Sequence, residues 1–316
     1  SACLLLLGPG VALAEDEGGM ESLDLAALMD MDIVVAATGK AQSLKDAPAI
    51  VSVINQKEIE AAGYRTVGEA LRSIPGLSVI DDHVDTHVGI RGFFANSDSS
   101  SDILKLMINS QPVAFRPTSS NFFGFDLIPI EAVKRIEIIR GPASALYGAN
   151  AYLGVINVVT KTGDDLNDSG FGGTLGGEGY MTTAGDASSM NHNVSLATGG
   201  NMGGLEFLIA GTMANADRSG LILPEVAPGW GSQADKDTFR AQSPSANDTA
   251  AEMSVYGQFN YRVGEDGENG VLRLDGHFQS RDKGGEFLGD SALTHATRVA
   301  MSNLFTRLQY ESAQPE

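Results

Sequence analysis

The sequence predicts a compact α+β domain followed by an incomplete antiparallel transmembrane β-barrel. Three observations carry that reading. The chain is acidic and rich in glycine: 21 Lys+Arg against 40 Asp+Glu give a formal charge of −19, and 38 of 316 residues are Gly, about 12% against an average near 7%. No apolar run reaches the roughly 18 residues that a helical membrane span needs. After Gly163 apolar and polar residues alternate with a period of two, as in strands with one apolar and one polar face. The charge argues against a nucleic-acid partner, which needs a basic face. Hydrophobic residues at 42% with charged residues at 19% argue against wholesale disorder.

Residues 1–14, SACLLLLGPGVALA, read as a signal-peptide remnant. An apolar stretch ends in Ala12-Leu13-Ala14 before Glu15-Asp16-Glu17, so the mature chain is expected to begin near Glu15. Gly8-Pro9-Gly10 counts against a buried helix here. Cys3 is the one cysteine, so no disulfide forms within the chain. The Leu run follows Cys3 instead of preceding it, unlike a lipoprotein signal. With no initiator Met and no basic n-region, the front is expected to be truncated. Residues 15–47 read as a mobile N-terminal arm. Within it Asp32-Ile33-Val34-Val35-Ala36-Ala37 is β-prone, either an edge strand or a strand that pairs with another protein.

Residues 48–163 read as the compact domain. Ala49–Ile54 is a strand candidate, and Asn55 with Glu58 three residues on is a helix start. Thr66-Val67-Gly68-Glu69 repeats the signal, and Val67, Ala70, Leu71 and Ile74 share one helical face. Pro75-Gly76 ends that helix. Leu77–Ile80, Val88–Arg91, Leu104–Ile108 and Val133–Ile139 follow as short strands, separated by polar loops over 81–86, 95–102 and 116–121.

Residues 164–316 then supply strands near 171–179, 189–199, 204–216, 251–263, 270–282 and 297–310. Short Gly-rich turns at 199–204 and 264–270 alternate with long polar connectors near 217–250 and 283–296. That alternation suits a barrel with tight periplasmic turns and large external loops. About six strands fall short of the eight of the smallest common barrel, so the wall is expected to be incomplete and the chain a fragment.

Three stretches add a resemblance: Ala70-Leu71-Arg72-Ser73-Ile74-Pro75-Gly76-Leu77-Ser78-Val79, Val88-Gly89-Ile90-Arg91-Gly92-Phe93, and the run from Val133 through Arg140-Gly141-Pro142 to Gly148, continued by Gly154–Lys161. In this order they resemble the plug domain of TonB-dependent outer-membrane receptors over about residues 31–163. In that family the plug fills a barrel of about 22 strands. The resemblance implies that Asp32, Ile33, Val34, Val35 and Ala36 form the energy-coupling box, which adds a strand to a periplasmic TonB-type protein. Only a short arm separates the expected cleavage site from this box, so no extra N-terminal signalling domain is expected. The expected partners are that protein, a small-molecule ligand such as a metal chelate, and outer-membrane lipid. The expected location is the outer membrane of a Gram-negative bacterium, and no cofactor is expected.

Arg91, Glu137 and Arg140 sit beside glycines in strands expected to face the lumen, where charges need partners. They are expected to form plug–barrel ion pairs. Asp81, Asp82, His83, Asp85 and His87 form a compact acid/imidazole cluster, and Asp82, His83, Asp85 and His87 join Phe115 and Arg116 as candidate ligand contacts. A solvated loop is the simpler reading of that cluster, and no metal site is assigned. Phe122 and Phe123 either face a ligand or pack the domain core. Two positions depart from the family pattern. Asn109-Ser110-Gln111 stands where Asp-Gly is usual, and Leu153 where a second glycine precedes Gly154.

No G-x-S-x-G elbow, phosphate-binding loop, H-E-x-x-H or C-x-x-C occurs, so an enzyme is not expected. The leading expectation is a receptor for energy-coupled uptake of a scarce ligand, a ferric siderophore or cobalamin for example. The alternative is a secreted or surface β-rich ligand-binding module, or a receptor fragment that cannot transport.

Overall fold

A computed structural model describes residues 33–34, 42–43, 50–81, 86–93, 103–113, 123–166, 170–184, 187–220, 237, 244–264, 269–285 and 295–312. The chain opens with β1 (Ile33–Val34) and β2 (Gln42–Ser43), which pair antiparallel with each other. The α+β domain follows as β3 (Ile50–Asn55), α1 (Gln56–Ala62), α2 (Val67–Leu71), β4 (Leu77–Asp81), β5 (Thr86–Ile90), β6 (Leu104–Ile108), β7 (Gln111–Pro112), β8 (Val133–Arg140), α3 (Ser144–Tyr147) and β9 (Gly154–Thr160). Five strands make one sheet in the order β3-β8-β9-β6-β7, and β4 and β5 form a separate hairpin.

Local chemistry sets these boundaries. Asn55 caps α1 by accepting from the Glu58 N–H at 3.0 Å, while the Glu58 carboxylate accepts from the Asn55 N–H at 2.8 Å. This is the reciprocal box read from the sequence. Gly63 ends the helix at φ 66°, the left-handed cap that suits glycine. Thr66 Oγ1 accepts from the Glu69 N–H at 3.1 Å and starts α2. Val67, Ala70, Leu71 and Ile74 all bury in the core with Ile136, Ile138, Ile156 and Val158. β9, where the motif Gly154–Lys161 carried no strand expectation, lies at the centre of the sheet, parallel to β6 and antiparallel to β8. Gly154–Val158 are buried on both faces, so no alternation marks the strand. Phe123 is buried in the same core.

Six long strands follow: β10 (Gly170–Ala184), β11 (Ala187–Met202), β12 (Leu205–Asp217), β13 (Thr249–Val263), β14 (Gly270–Gly284) and β15 (Arg298–Glu311). Each pairs antiparallel with the next, and the sheet does not close on itself. The six lie within a few residues of the positions read from alternation. Gly203 and Gly204, at φ 58° and 87°, make the two-residue turn between β11 and β12. The strand ends joined by that turn and by residues 264–269 lie at one end of the wall. The strand ends joined by 218–248, by 285–297 and, against expectation, by only two residues between β10 and β11 lie at the other.

The wall is inside-out by soluble standards. Asn191, Asn193, Ser195, Thr212, Ser254, Gln258, Asp275, Gln279 and Arg281 are buried, whereas Leu175, Met190, Leu304 and Leu308 are between 70% and 79% exposed. The register aligns Leu175, Leu196, Gly211, Val255, Phe278 and Leu304 in one row across all six strands of the outer face. Nearer the tight turns lies an aromatic band. Phe207 pairs with Phe259, Phe171 stacks 6.4 Å from Phe207, and Tyr261, Leu272 and Tyr310 form the next row. From Met253 to Tyr261 the outer face spans about 27 Å at roughly 3.4 Å per residue, close to the apolar band height of outer-membrane barrels.

Candidate plug–wall interface and its cavities

The α+β domain lies against the polar face of the wall and bonds to it at four places. Near the link 218–248, Arg281 pairs with Asp126 at 3.3 Å, both side chains only 3% exposed. Gln279 Nε2 donates to the Leu127 carbonyl at 2.6 Å. Glu252 pairs with Lys283 at 2.6 Å. Gly124 makes this approach possible, because a Cβ there would stand 3.0 Å from Asp126 Oδ1 and 3.1 Å from Glu252 Oε1.

A second contact forms at the β6–β7 turn. Asn109 and Ser110 have φ of 48° and 63°, so both lie in the left-handed region that Asp-Gly would fill with less strain. Side-chain bonds hold the turn. Asn109 Nδ2 donates to Thr160 Oγ1 at 2.9 Å and to the Tyr256 hydroxyl of the wall at 3.0 Å. Its Oδ1 accepts from the Thr160 N–H at 2.9 Å, and the Ser110 N–H donates to Asn157 Oδ1 at 2.9 Å. Thr160 and Tyr256 both donate to Gln258 Oε1.

A third contact follows β9. Asp164 accepts from Asn201 Nδ2 at 3.1 Å and faces Arg262 at 3.8 Å. Asp165 bonds Lys134 at 2.7 Å and accepts from the Thr162 N–H at 2.8 Å. Burial alone would raise the Asp165 carboxyl, but the Lys134 and Thr162 bonds outweigh it and hold the group below its ordinary value. Lys161 goes the other way. Burial lowers its ammonium against the opposing pull of Glu60 and Glu131.

A fourth contact lies along β10 and β11. Arg65 donates from Nη1 to both carboxylate oxygens of Glu178, at 3.1 and 3.0 Å, and from Nε to Glu69 at 2.9 Å. The Glu69 bond raises the Arg65 pKa against desolvation, and Glu178 adds to it. Ser195 Oγ donates to Glu131 Oε1 at 2.5 Å. Two cavities open on this seam. One of about 190 Å³ is lined by Arg65, Glu69, Asp81, His192 and Arg218 among others. The other, of about 480 Å³, is lined by Glu60, Arg65, Glu131, Lys161 and Glu178 among others.

The residues singled out by sequence fall as follows. Of the box, Ile33 and Val34 form β1, while Asp32, Val35 and Ala36 lie outside the described residues. The bonds of Glu137 and Arg140 described here stay within the α+β domain. Fully buried Glu137 pairs with Arg135 at 2.7 Å and accepts from Asn157 at 3.1 Å. Arg140 donates to the Pro75 carbonyl at 2.7 Å and to Ser52 Oγ at 2.9 Å, fastening the turn that ends α2. Arg91 occupies a turn at φ 53° and donates its N–H to the Gly76 carbonyl at 2.9 Å. The described contacts to the wall come from other residues, namely Arg65, Asn109, Asp126, Leu127, Glu131, Thr160 and Asp164. Position along the chain could not single these out, because each is chosen by the strand residue opposite it. The charges at Arg281 and Lys283, on the polar side of an alternating strand, were the available signal.

Asp81 lines the smaller cavity, and His87 pairs with Ile80 in the β4–β5 hairpin. Asp82, His83, Asp85, Phe115 and Arg116 lie outside the described residues. Among the described residues no three or more His, Cys, Asp or Glu side chains are grouped to hold a metal.

An α+β unit seated on the polar face of an inside-out antiparallel wall defines the plugged-barrel class. Residues 43–155 match the family model described as the TonB-dependent Receptor Plug Domain, and this segment is such a plug. The chain is similar to the iron-regulated outer membrane virulence protein of Vibrio cholerae, 38% identical over 137 residues, or 42% of this chain and 20% of that protein. It is also similar to the vitamin B12 transporter BtuB of Photobacterium profundum, 32% identical over 160 residues, or 49% of this chain and 25% of that protein. The chain thus spans about a fifth to a quarter of these curated relatives. Among solved structures, the pyoverdine outer membrane receptor FpvA from Pseudomonas aeruginosa aligns with TM-score 0.56 at 16% identity, covering 80% of this chain and 31% of that one. The ferric preacinetobactin receptor BauA from Acinetobacter baumannii aligns with TM-score 0.54 at 16% identity, covering 81% and 32%. These likenesses extend the shared fold beyond the plug into the wall.

Proposed function

We propose that the chain supplies the plug and part of the barrel wall of an outer-membrane receptor for energy-coupled uptake of a scarce ligand, a metal chelate such as a ferric siderophore or cobalamin. The observation that carries this is the inversion of the wall. Its polar face is covered by a plug-family domain and its apolar face is bare. A wall of this kind belongs in lipid, and a covered lumen needs energy to open. The relatives named for vitamin B12 transport and iron regulation support the ligand class. In this reading Asp32–Ala36 is the coupling strand. Ile33–Val34 pairs with Gln42–Ser43 on one edge, and a periplasmic partner would add to a strand edge by β-augmentation. Ligand arrives from the end that carries the long connectors.

The test is Val34→Pro in the receptor that carries this chain. Proline removes a backbone donor from the coupling strand, so uptake of labelled ferric siderophore or cobalamin should stop while cell-surface binding persists. Unchanged uptake would discard the box assignment. Recovery of the wild-type protein in a soluble fraction would discard the receptor reading.

A further inference from the structure

The two cavities on the seam beside β10 and β11 are stacked along the strands. Wall residues Tyr180, His192 and Asn215 line the smaller one, and Thr174, Gly176 and Ser195 line the larger. Glu178 and Asn193 are register partners in the row between them. Asn193 and Arg65 line both cavities. Thr174 to Tyr180 covers about 20 Å of strand at roughly 3.4 Å per residue, and the wall here is built from small residues, Gly176, Gly177 and Gly179.

We propose that this seam is a two-chamber, water-filled passage for small hydrophilic solutes, closed at its midpoint by the Arg65 guanidinium. Glu69, one turn into α2, holds one edge of the fork and aims the other at Glu178 on the wall. The gate is built to open easily. The Arg65 and Glu178 side chains are 44% and 39% exposed, and exposed ion pairs hold weakly. The Asp126–Arg281 pair is dry and suits a fixed anchor. The inner chamber carries its own charged lining, Glu60, Glu131 and Lys161. Water reaching this lining would hydrate groups that are costly to leave dry. Releasing Arg65 from Glu178 joins the chambers without moving the plug sheet.

The inference rests on the outer-membrane reading above. The test uses the receptor carrying this chain, in intact cells and a Cys3→Ser background, with Thr174→Cys placed in the inner chamber. The probe is a charged, membrane-impermeant maleimide added outside. Arg65→Ala should speed labelling of position 174 by up to about fivefold, the largest population shift an exposed ion pair holds back. Glu178→Gln, which acts from the wall side, should do the same. Arg65→Lys, which keeps the charge but loses the fork, should fall between. Labelling that is equal with and without Arg65, or that Glu178→Gln leaves unchanged, overturns the gate while the protein remains in the outer membrane. Protein absent from the outer-membrane fraction overturns the receptor reading itself, and that outcome is scored by fractionation before any labelling.

Discussion

Breaking the Asp126–Arg281 pair should loosen the plug from the wall more than any other single substitution at a polar contact between them. Both side chains are 3% exposed and 3.3 Å apart, and Glu252 and Lys283, each 10% exposed, form the neighbouring pair. The four charges cancel. Asp126→Ala leaves Arg281 and Lys283 to share Glu252. Removing one partner of a buried pair costs about 3–5 kcal/mol. Glu252 offsets part of that, so the expected cost is about 3 kcal/mol. At 1.4 kcal/mol per tenfold, the opened plug becomes roughly 100-fold more populated. The assay is protease cleavage of the plug in isolated outer membranes across a urea series, with Arg281→Met and the double variant Asp126→Leu/Arg281→Met alongside. The double variant should recover most of the loss, because two apolar side chains leave no unpaired charge. The reasoning is refuted if each single variant costs under about 1 kcal/mol, the range of an exposed pair, or if the two losses simply add.

Further outcomes follow from the same contacts. Gly176→Ala should cost about 1–2 kcal/mol of plug–wall stability, because its Cβ would stand 2.6 Å from Ser195 Oγ and 3.1 Å from Glu131 Oε1. Gly177→Ala, whose nearest neighbour would be at 3.7 Å, should change little in the same cleavage assay. Asn109→Ala removes the bonds to Thr160 and Tyr256 and should cost about 1–3 kcal/mol by urea midpoint. The Asp165 carboxyl is held below its ordinary 3.8. Its contribution is therefore complete above that value and is lost as pH falls through the lower folded value. Asp165→Asn should flatten this part of the acid-unfolding curve of the plug.

Periodicity carried most of the fold into view. Alternation located the six wall strands, since polar and apolar residues take opposite faces along each, and the 3.6-residue spacing of Val67, Ala70 and Leu71 matched the buried face of α2, with Ile74 buried just past its end. It was silent at β9, where both faces are buried. The plug–wall contacts were the least legible part. Arg65 meets Glu178 across 113 residues and Asp126 meets Arg281 across 155, pairings that depend on how two separately patterned units dock. Arg140, expected to reach the wall, is captured by the Pro75 carbonyl and by Ser52, which the β3–β8 pairing brings within reach.

The central claim is that the bare face of the wall meets lipid and the polar face meets the plug. Spin labels at single cysteines replacing Leu196, Val255 and Leu304 on the outer face, and Ser254 and Gln258 on the inner, test it in outer-membrane vesicles by electron paramagnetic resonance. The outer sites should collide freely with oxygen, which concentrates in lipid, and poorly with a water-soluble nickel chelate. The inner sites, both buried, should be shielded from both. Strong collision of the outer sites with the nickel chelate would show that this face meets water, and would contradict the account.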